Sequence, residues 1–120
     1  MATREELREA IDDYVAQARK SERVLRSLRN WNCVIYFEAN DTADAFTMVI
    51  KNGSTEVYDV LHETPDLIVR GSSEDLADIF WGDANPASNY MQGAIKVQGS
   101  QENVMRLDAM AMLIYLEVNK

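Results

Sequence analysis

With one cysteine, one histidine and two prolines in 120 residues, the chain has little of what several kinds of protein are built from. A single thiol, Cys33, cannot form an internal disulfide, so the fold has to rest on a packed core, and this usage fits a reducing cytoplasm. A catalytic Cys-His pair would have to bring Cys33 to His62, the only imidazole, and would still need an orienting partner and an electropositive setting. His62 stands beside Glu63 just before Pro65 and reads as a surface loop residue. Zinc-ligand spacing, calcium loops and glycine-rich phosphate loops are missing, so the sequence asks for no metal and no cofactor and gives an enzyme little to work with. The longest apolar run, Ala109 to Leu116, is too short to span a bilayer, and the start from Met1 to Glu6 lacks an apolar signal core. A cytoplasmic location is the expectation.

Positive charge is scarce as well. Twelve Lys and Arg against twenty Asp and Glu give a formal net charge of −8. Seven of the twelve bases (Arg4, Arg8, Arg19, Lys20, Arg23, Arg26, Arg29) precede Asn30, which leaves five bases against fourteen acids in the rest. Phosphate recognition needs a concentrated basic face, so nucleic acid is excluded as a partner and contact with an anionic membrane is expected to be weak at most.

What the chain does have is pattern. Its length suits one domain over residues 1–120, with an N-terminal helix in 1–29 and a sheet with covering helices in 30–120. From Arg4 to about Arg29, Leu7, Ile11, Tyr14, Ala18, Leu25 and Leu28 recur in steps of four and three, interrupted by Ser21, and Thr3 with Glu6 makes a capping box. Such a stripe packs on its own domain or mediates a homodimer, with a basic membrane anchor as a minor third alternative. After Asn30 the period drops to two: Asn32 to Ala39, then Phe46, Met48 and Ile50 up to an Asn52-Gly53 hairpin signal, then Thr55 to Leu61 and Asp66 to Arg70. This predicts an antiparallel meander. Ser72 to Asp75 starts a helix whose greasy face is Leu76, Ile79 and Phe80.

Gly82 suits the left-handed residue past a helix end, and Asn85-Pro86 forces the chain into a turn expected to be buried. Gly93 and Gly99 bracket a strand over Ala94 to Gln98, and Ser100 caps a last helix carrying Val104, Leu107, Ala111, Ile114 and Val118 at helical spacing. Taken alone, that geometry demands no ligand. The run nevertheless resembles, without a gap, the signature of the sterol carrier protein type 2 family at Gly82, Asn85, Pro86, Tyr90, Met91, Gly93, Ile95, Val97, Gly99, Met105 and Leu107. Phe46 and Lys51-Asn52-Gly53 extend the match into the sheet. The resemblance implies an α+β fold, a five-stranded mainly antiparallel sheet layered with helices around a hydrophobic tunnel, and a protein that binds and transfers or shields a lipid, fatty acid, acyl-CoA, isoprenoid or quinone intermediate without catalysis.

The last helix is apolar on every side from Ala109 to Leu116, so it is expected to be buried on two sides, between the sheet and either a ligand or another subunit. Methionines at Met48, Met91, Met105, Met110 and Met112 would adapt to a ligand of variable shape, although they serve equally as core filler. The expected tunnel wall takes Phe46 and Met48 from the sheet, Leu76, Phe80 and Trp81 from the middle helix, Tyr90 and Met91 from the signature, and Met105, Met110, Leu113 and Ile114 from the last helix. Asn89, Tyr90 and Gln92 are the head-group candidates. The alternative is a homodimeric assembly module whose core is simply filled.

Overall fold

Ring packing around Phe80 fixes how the helices sit on the sheet: its centroid lies 5.1 Å from Phe37 in an edge-on contact and 5.3 Å from Tyr14. In the computed structural model, which describes residues 1–61 and 64–120, these rings belong to a middle helix, a central strand and the first helix. The first helix, α1, spans Arg4–Lys20 and starts at the expected capping box, with the Thr3 hydroxyl accepting from the Glu6 N–H and the Glu6 carboxylate accepting from the Thr3 N–H. Leu7, Ala10, Ile11, Tyr14, Val15 and Ala18 form its buried face.

The single N-terminal helix expected to run to Arg29 is instead two. Ser21 is extended (φ −99°, ψ 118°), ends α1, and with its hydroxyl caps α2, Glu22–Ser27. A serine side chain can replace a helical backbone bond with one of its own, which makes it a natural break. The break also resets the phase: Leu25, expected on the buried stripe, is 37% exposed, and Val24 is buried in its place.

Strands β1 (Asn32–Ala39), β2 (Ala45–Lys51), β3 (Ser54–Tyr58), β4 (Leu67–Gly71) and β5 (Lys96–Gly99) form one sheet in the order β3-β2-β1-β4-β5. The β2–β3 turn is the hairpin that Asn-Gly announces, with positive φ at both Asn52 (50°) and Gly53 (85°). The fourth strand corrects the expected meander. It pairs in parallel with β1, Ile35 opposite Leu67, while the other three pairings are antiparallel, so the sheet is mixed. Periodicity reports a strand's faces but not its neighbour. The connection from β3 to β4 is pinned to the sheet at both ends: Thr47 Oγ1 donates to the Val60 carbonyl at 2.7 Å, and Asp66 accepts from the Val34 N–H through Oδ2 while donating its own N–H to the Val34 carbonyl, both at 2.8 Å. His62 and Glu63 belong to this connection, so the reading of His62 lies outside the described residues.

Helix α3 (Ser73–Trp81) is capped by Ser72 and stopped by Gly82 in the left-handed conformation, φ 79°. A Cβ at Gly82 would sit 2.8 Å from Cγ1 of Val118, so the position needs glycine both for its dihedral and for the approach of the last helix. The segment read as a buried turn holds another helix, α4 (Pro86–Met91), with Asn85 as N-cap and Pro86 in its first turn. Asn followed by Pro is as much a helix start as a helix stop. None of its residues is buried. The last helix, α5 (Gln101–Val118), starts at Ser100 as expected.

The core lies on one sheet face, where Ile35 and Phe37 of β1, Phe46, Met48 and Ile50 of β2, and Leu67 and Val69 of β4 meet α1, α3 and α5. The expectation that α5 is buried on two sides does not hold within the monomer. Leu107, Met110, Ala111 and Ile114 face inward, whereas Met105 is 62% and Leu116 48% exposed. Truncating Phe80 removes a contact shared by three elements, so Phe80→Ala is expected to cost about 3–5 kcal/mol in urea unfolding, against about 0.5 kcal/mol or less for Leu25→Ala.

Candidate ligand site

Two apolar cavities meet beneath α4. The deeper one, of about 50 Å³, has a sheet wall of Phe37, Val69, Ile95 and Val97 and a helix wall of Tyr14, Ile79, Phe80, Leu107 and Ala111. Pro86, Tyr90 and Asp108 complete it. The same three residues recur in the lining of an outer groove of about 320 Å³, together with Ala87 and Met91 of α4 and Ala109 and Met112 of α5. Pro86, Tyr90 and Asp108 therefore form a neck between interior and surface, with α4 as its cover. A larger depression of about 560 Å³ is lined by Val34, Val49 and Tyr58 but also by Lys51, Glu56 and Asp66, so it is a mixed polar surface rather than an apolar one.

The residues expected to wall a tunnel divide into three groups. Phe80 and Tyr90 line the deep cavity, and Tyr90 and Met91 the outer groove; Met91 is 85% exposed. Phe46, Met48, Leu76, Met110 and Ile114 are buried in the core, with Leu113 packed against it, and line neither cavity. Trp81 and Met105 are exposed and also line neither. Of the head-group candidates only Tyr90 lies at the neck; the Asn89 backbone carbonyl instead accepts from the Ala94 and Ile95 N–H groups and closes the turn into β5. Sequence reasoning passed over Tyr14, Phe37, Val69 and Asp108. Tyr14 was read only as stripe, and the alternation of β1 and β4 put Phe37 and Val69 on one face without saying that a space lay there. Asp108 carried the clearest signal, being the sole charge between Leu107 and Leu116.

The deep space is electrostatically plain. Burial pushes the Tyr14 phenol well above its ordinary pKa, so it stays a neutral donor. Burial also raises the Asp108 carboxyl above its usual 3.8. Asp78 on α3 is raised too, first by burial and then by Asp83, Asp75 and Glu74. Cys33 is buried in the core, and its thiol is pushed up to about 12 by burial, with Asp66 adding and Arg106 opposing; this is the setting of an inert thiol, not a nucleophile. Among the described residues no group of three or more His, Cys, Asp or Glu could hold a metal ion, and no helix is long and apolar enough to cross a membrane.

Comparison with known proteins agrees with this architecture. The profile of the SCP-2 sterol transfer family matches residues 11–112, and the chain belongs to that family. Its fold is similar to that of a UbiJ-SCP2 ubiquinone synthesis protein, with a TM-score of 0.71 at 16% identity, covering 90% of this chain and 94% of the other. It is similar to palmitated SCP2L2 from Aedes aegypti, with a TM-score of 0.63 at 18% identity and 92% of each chain covered. It also resembles part of the sec-alkylsulfatase Pisa1 from Pseudomonas sp., with a TM-score of 0.58 at 15% identity over 72% of this chain, which spans 13% of that longer protein. At such identities the likeness is one of fold. Comparison with curated proteins finds no match.

Asp108 gives the site a measurable signature. Its raised folded pKa means that it favours the fold only at low pH, where it is neutral, and that this contribution is lost as pH rises through the raised value. Asp108→Asn is therefore expected to raise the Tm at pH 7, with the advantage over the parent shrinking as pH falls towards 3.8. Thermal unfolding followed by circular dichroism across that range measures it.

Proposed function

We propose that residues 1–120 act as one unit that takes the apolar part of a small hydrophobic molecule between the sheet and helices α1, α3 and α5, and shields it during transfer. Family and fold both point to lipid binding or transfer in general. The observation that carries the finer reading is the apolar deep cavity joined to a surface groove at Pro86, Tyr90 and Asp108. At about 50 Å³ the inner space is smaller than the ~300 Å³ at which drug-sized ligand pockets begin. Loading therefore requires α4 to move. That helix has six residues, none buried, between Gly82 and Gly93, both at positive φ, so little packing opposes its displacement. The tunnel of this reading is the merged space after α4 swings out, with Phe80, Tyr90 and Met91 on its wall and the remaining residues of the expected wall supporting it from the core. No step needs a base or a nucleophile, and the protein works as a carrier.

The ligand is a lipid, a fatty acid, an acyl-CoA, an isoprenoid or a quinone intermediate. One similar structure is of a palmitated protein and another of a ubiquinone synthesis protein, which fits an apolar tail as the common element. The assembly reading keeps one observation in its favour, the exposed Met105 and Leu116 on α5. Its other proposed contact, the α1 stripe, is spent inside the domain, because Leu7 and Tyr14 are buried.

The test is uptake of a pyrene-labelled fatty alcohol, read by fluorescence, beside native mass spectrometry of the gently purified protein. The expected result is saturable one-to-one uptake, reduced by about tenfold or more in Ala111→Phe, which fills the deep cavity, with circular dichroism unchanged. Absence of uptake, or uptake that Ala111→Phe leaves intact, would sink the carrier reading.

A further inference from the structure

Charge around the two cavities is one-sided. Among the described residues, neither lining contains Lys, Arg or His, and Asp108 is the one charged side chain, present in both. The cation nearest to Asp108 in the sequence is engaged elsewhere. Arg106, two residues earlier on α5, donates to the Ser27 and Arg29 carbonyls at 2.9 Å each and lies over the Trp31 ring at 5.2 Å. Nor does α4 offer its first amides to an anion, because the Ala87 and Ser88 N–H groups already donate to Asn85 Oδ1 at 2.9 and 3.3 Å. Asp108 itself makes no hydrogen bond or ion pair among the described residues, so its acceptor oxygens are open to a ligand.

These facts constrain the polar end of anything that binds. Head-first, a carboxylate would be buried against Phe37, Phe80, Ile95 and Val97 with no cation to compensate it, which is costly for any ion. Tail-first, it would come to rest at the neck or in the outer groove, beside Asp108 in either place. Asp108 is exposed, and a like charge brought beside it is repelled, the more so as the bound apolar tail displaces water from the neck. A hydroxyl in the same position gains a charge-assisted hydrogen bond instead.

We infer that the site selects an uncharged lipid whose polar end carries a hydrogen-bond donor, and discriminates against free fatty-acid anions, with Asp108 setting the preference. This rests on the carrier reading and narrows it. Asp108 acts on specificity by touching the ligand's head group, and the apolar walls are indifferent to which head a given tail bears.

The experiment compares two probes with the same pyrene-labelled tail, one ending in an alcohol and the other in a carboxylic acid, titrated at pH 8 into the parent protein, Asp108→Asn, Asp108→Glu and Ala111→Phe. The alcohol is expected to bind the parent about tenfold or more tightly than the acid, the preference to fall to about threefold or less in Asp108→Asn through a gain in acid affinity, and to persist in Asp108→Glu. Loss of both probes in Ala111→Phe locates them in the same cavity. Equal binding of acid and alcohol by the parent, or an unchanged ratio in Asp108→Asn, overturns the inference while leaving the carrier reading in place. Failure of both probes to bind the parent overturns the carrier reading and the inference with it.

Discussion

The packing of Phe80 between Phe37 and Tyr14 is the contact from which the geometry of the site follows. It presses α3 and α1 onto the same part of the sheet. With α3 held there, its stop at Gly82 decides where the chain turns back, and the Val118 side chain against that glycine draws the far end of α5 to the same corner. The Asn119 side chain strengthens the joint by donating to the Gly82 carbonyl at 2.8 Å. At its other end α5 is held by Arg106, which satisfies carbonyls that the end of α2 leaves open, and by Asn103, which accepts from the Trp31 indole at 2.9 Å. Between these two attachments, midway along α5, Leu107, Asp108 and Ala111 line the deep cavity beside Phe80.

Much of this was legible in the sequence, for identifiable reasons. Caps and turns are local: Thr3 with Glu6, Asn52-Gly53, Ser72, Gly82 and Ser100 each do in the structure what their chemistry implies. The family resemblance over Gly82 to Leu107 is matched by the profile that covers residues 11–112. What escaped is what depends on partners far along the chain. Whether the strand after Pro65 adds to β3 or crosses to β1 is decided by Asp66 meeting Val34, two residues that no short window contains together. Leu25 and Leu28 carry the same apolar signal, yet only Leu28 is buried, because Ser21 shifted the helix phase between the stripe and its continuation. The methionines divide the same way: Met48 and Met110 are core, while Met91 and Met105 are surface. Residue type could not separate them, since methionine suits either place.

Asp108 shows a rule being broken to some purpose. An exposed acid on an apolar helix, its carboxyl partly shielded by the surrounding apolar groups and unpartnered among the described residues, is held above its normal pKa, which weakens the fold at neutral pH. Its neighbour Ala111 is buried while Ala109 is exposed, so Asp108 stands at the margin of the buried face, and the first turn of α5 already has Glu102 to meet the helix dipole. Because it lines two cavities at once, Asp108 is the charged group placed to meet whatever those cavities hold, as proposed above.

Stability is also distributed in the way a carrier would need. Local opening is cheapest where few apolar side chains are buried. Helices α1, α3 and α5 each bury four or more side chains, while α4 buries none. Its backbone is tied to the rest chiefly through the Asn89 carbonyl, which accepts from the Ala94 and Ile95 N–H groups at 3.0 and 3.4 Å. Displacing α4 therefore disturbs a few hydrogen bonds and exposed contacts, whereas displacing α3 would break the Phe80 cluster and with it the attachment of α1. The element that covers the neck is thus among the least packed of the fold, and in the proposed reading its displacement would leave the core that shapes the cavity intact.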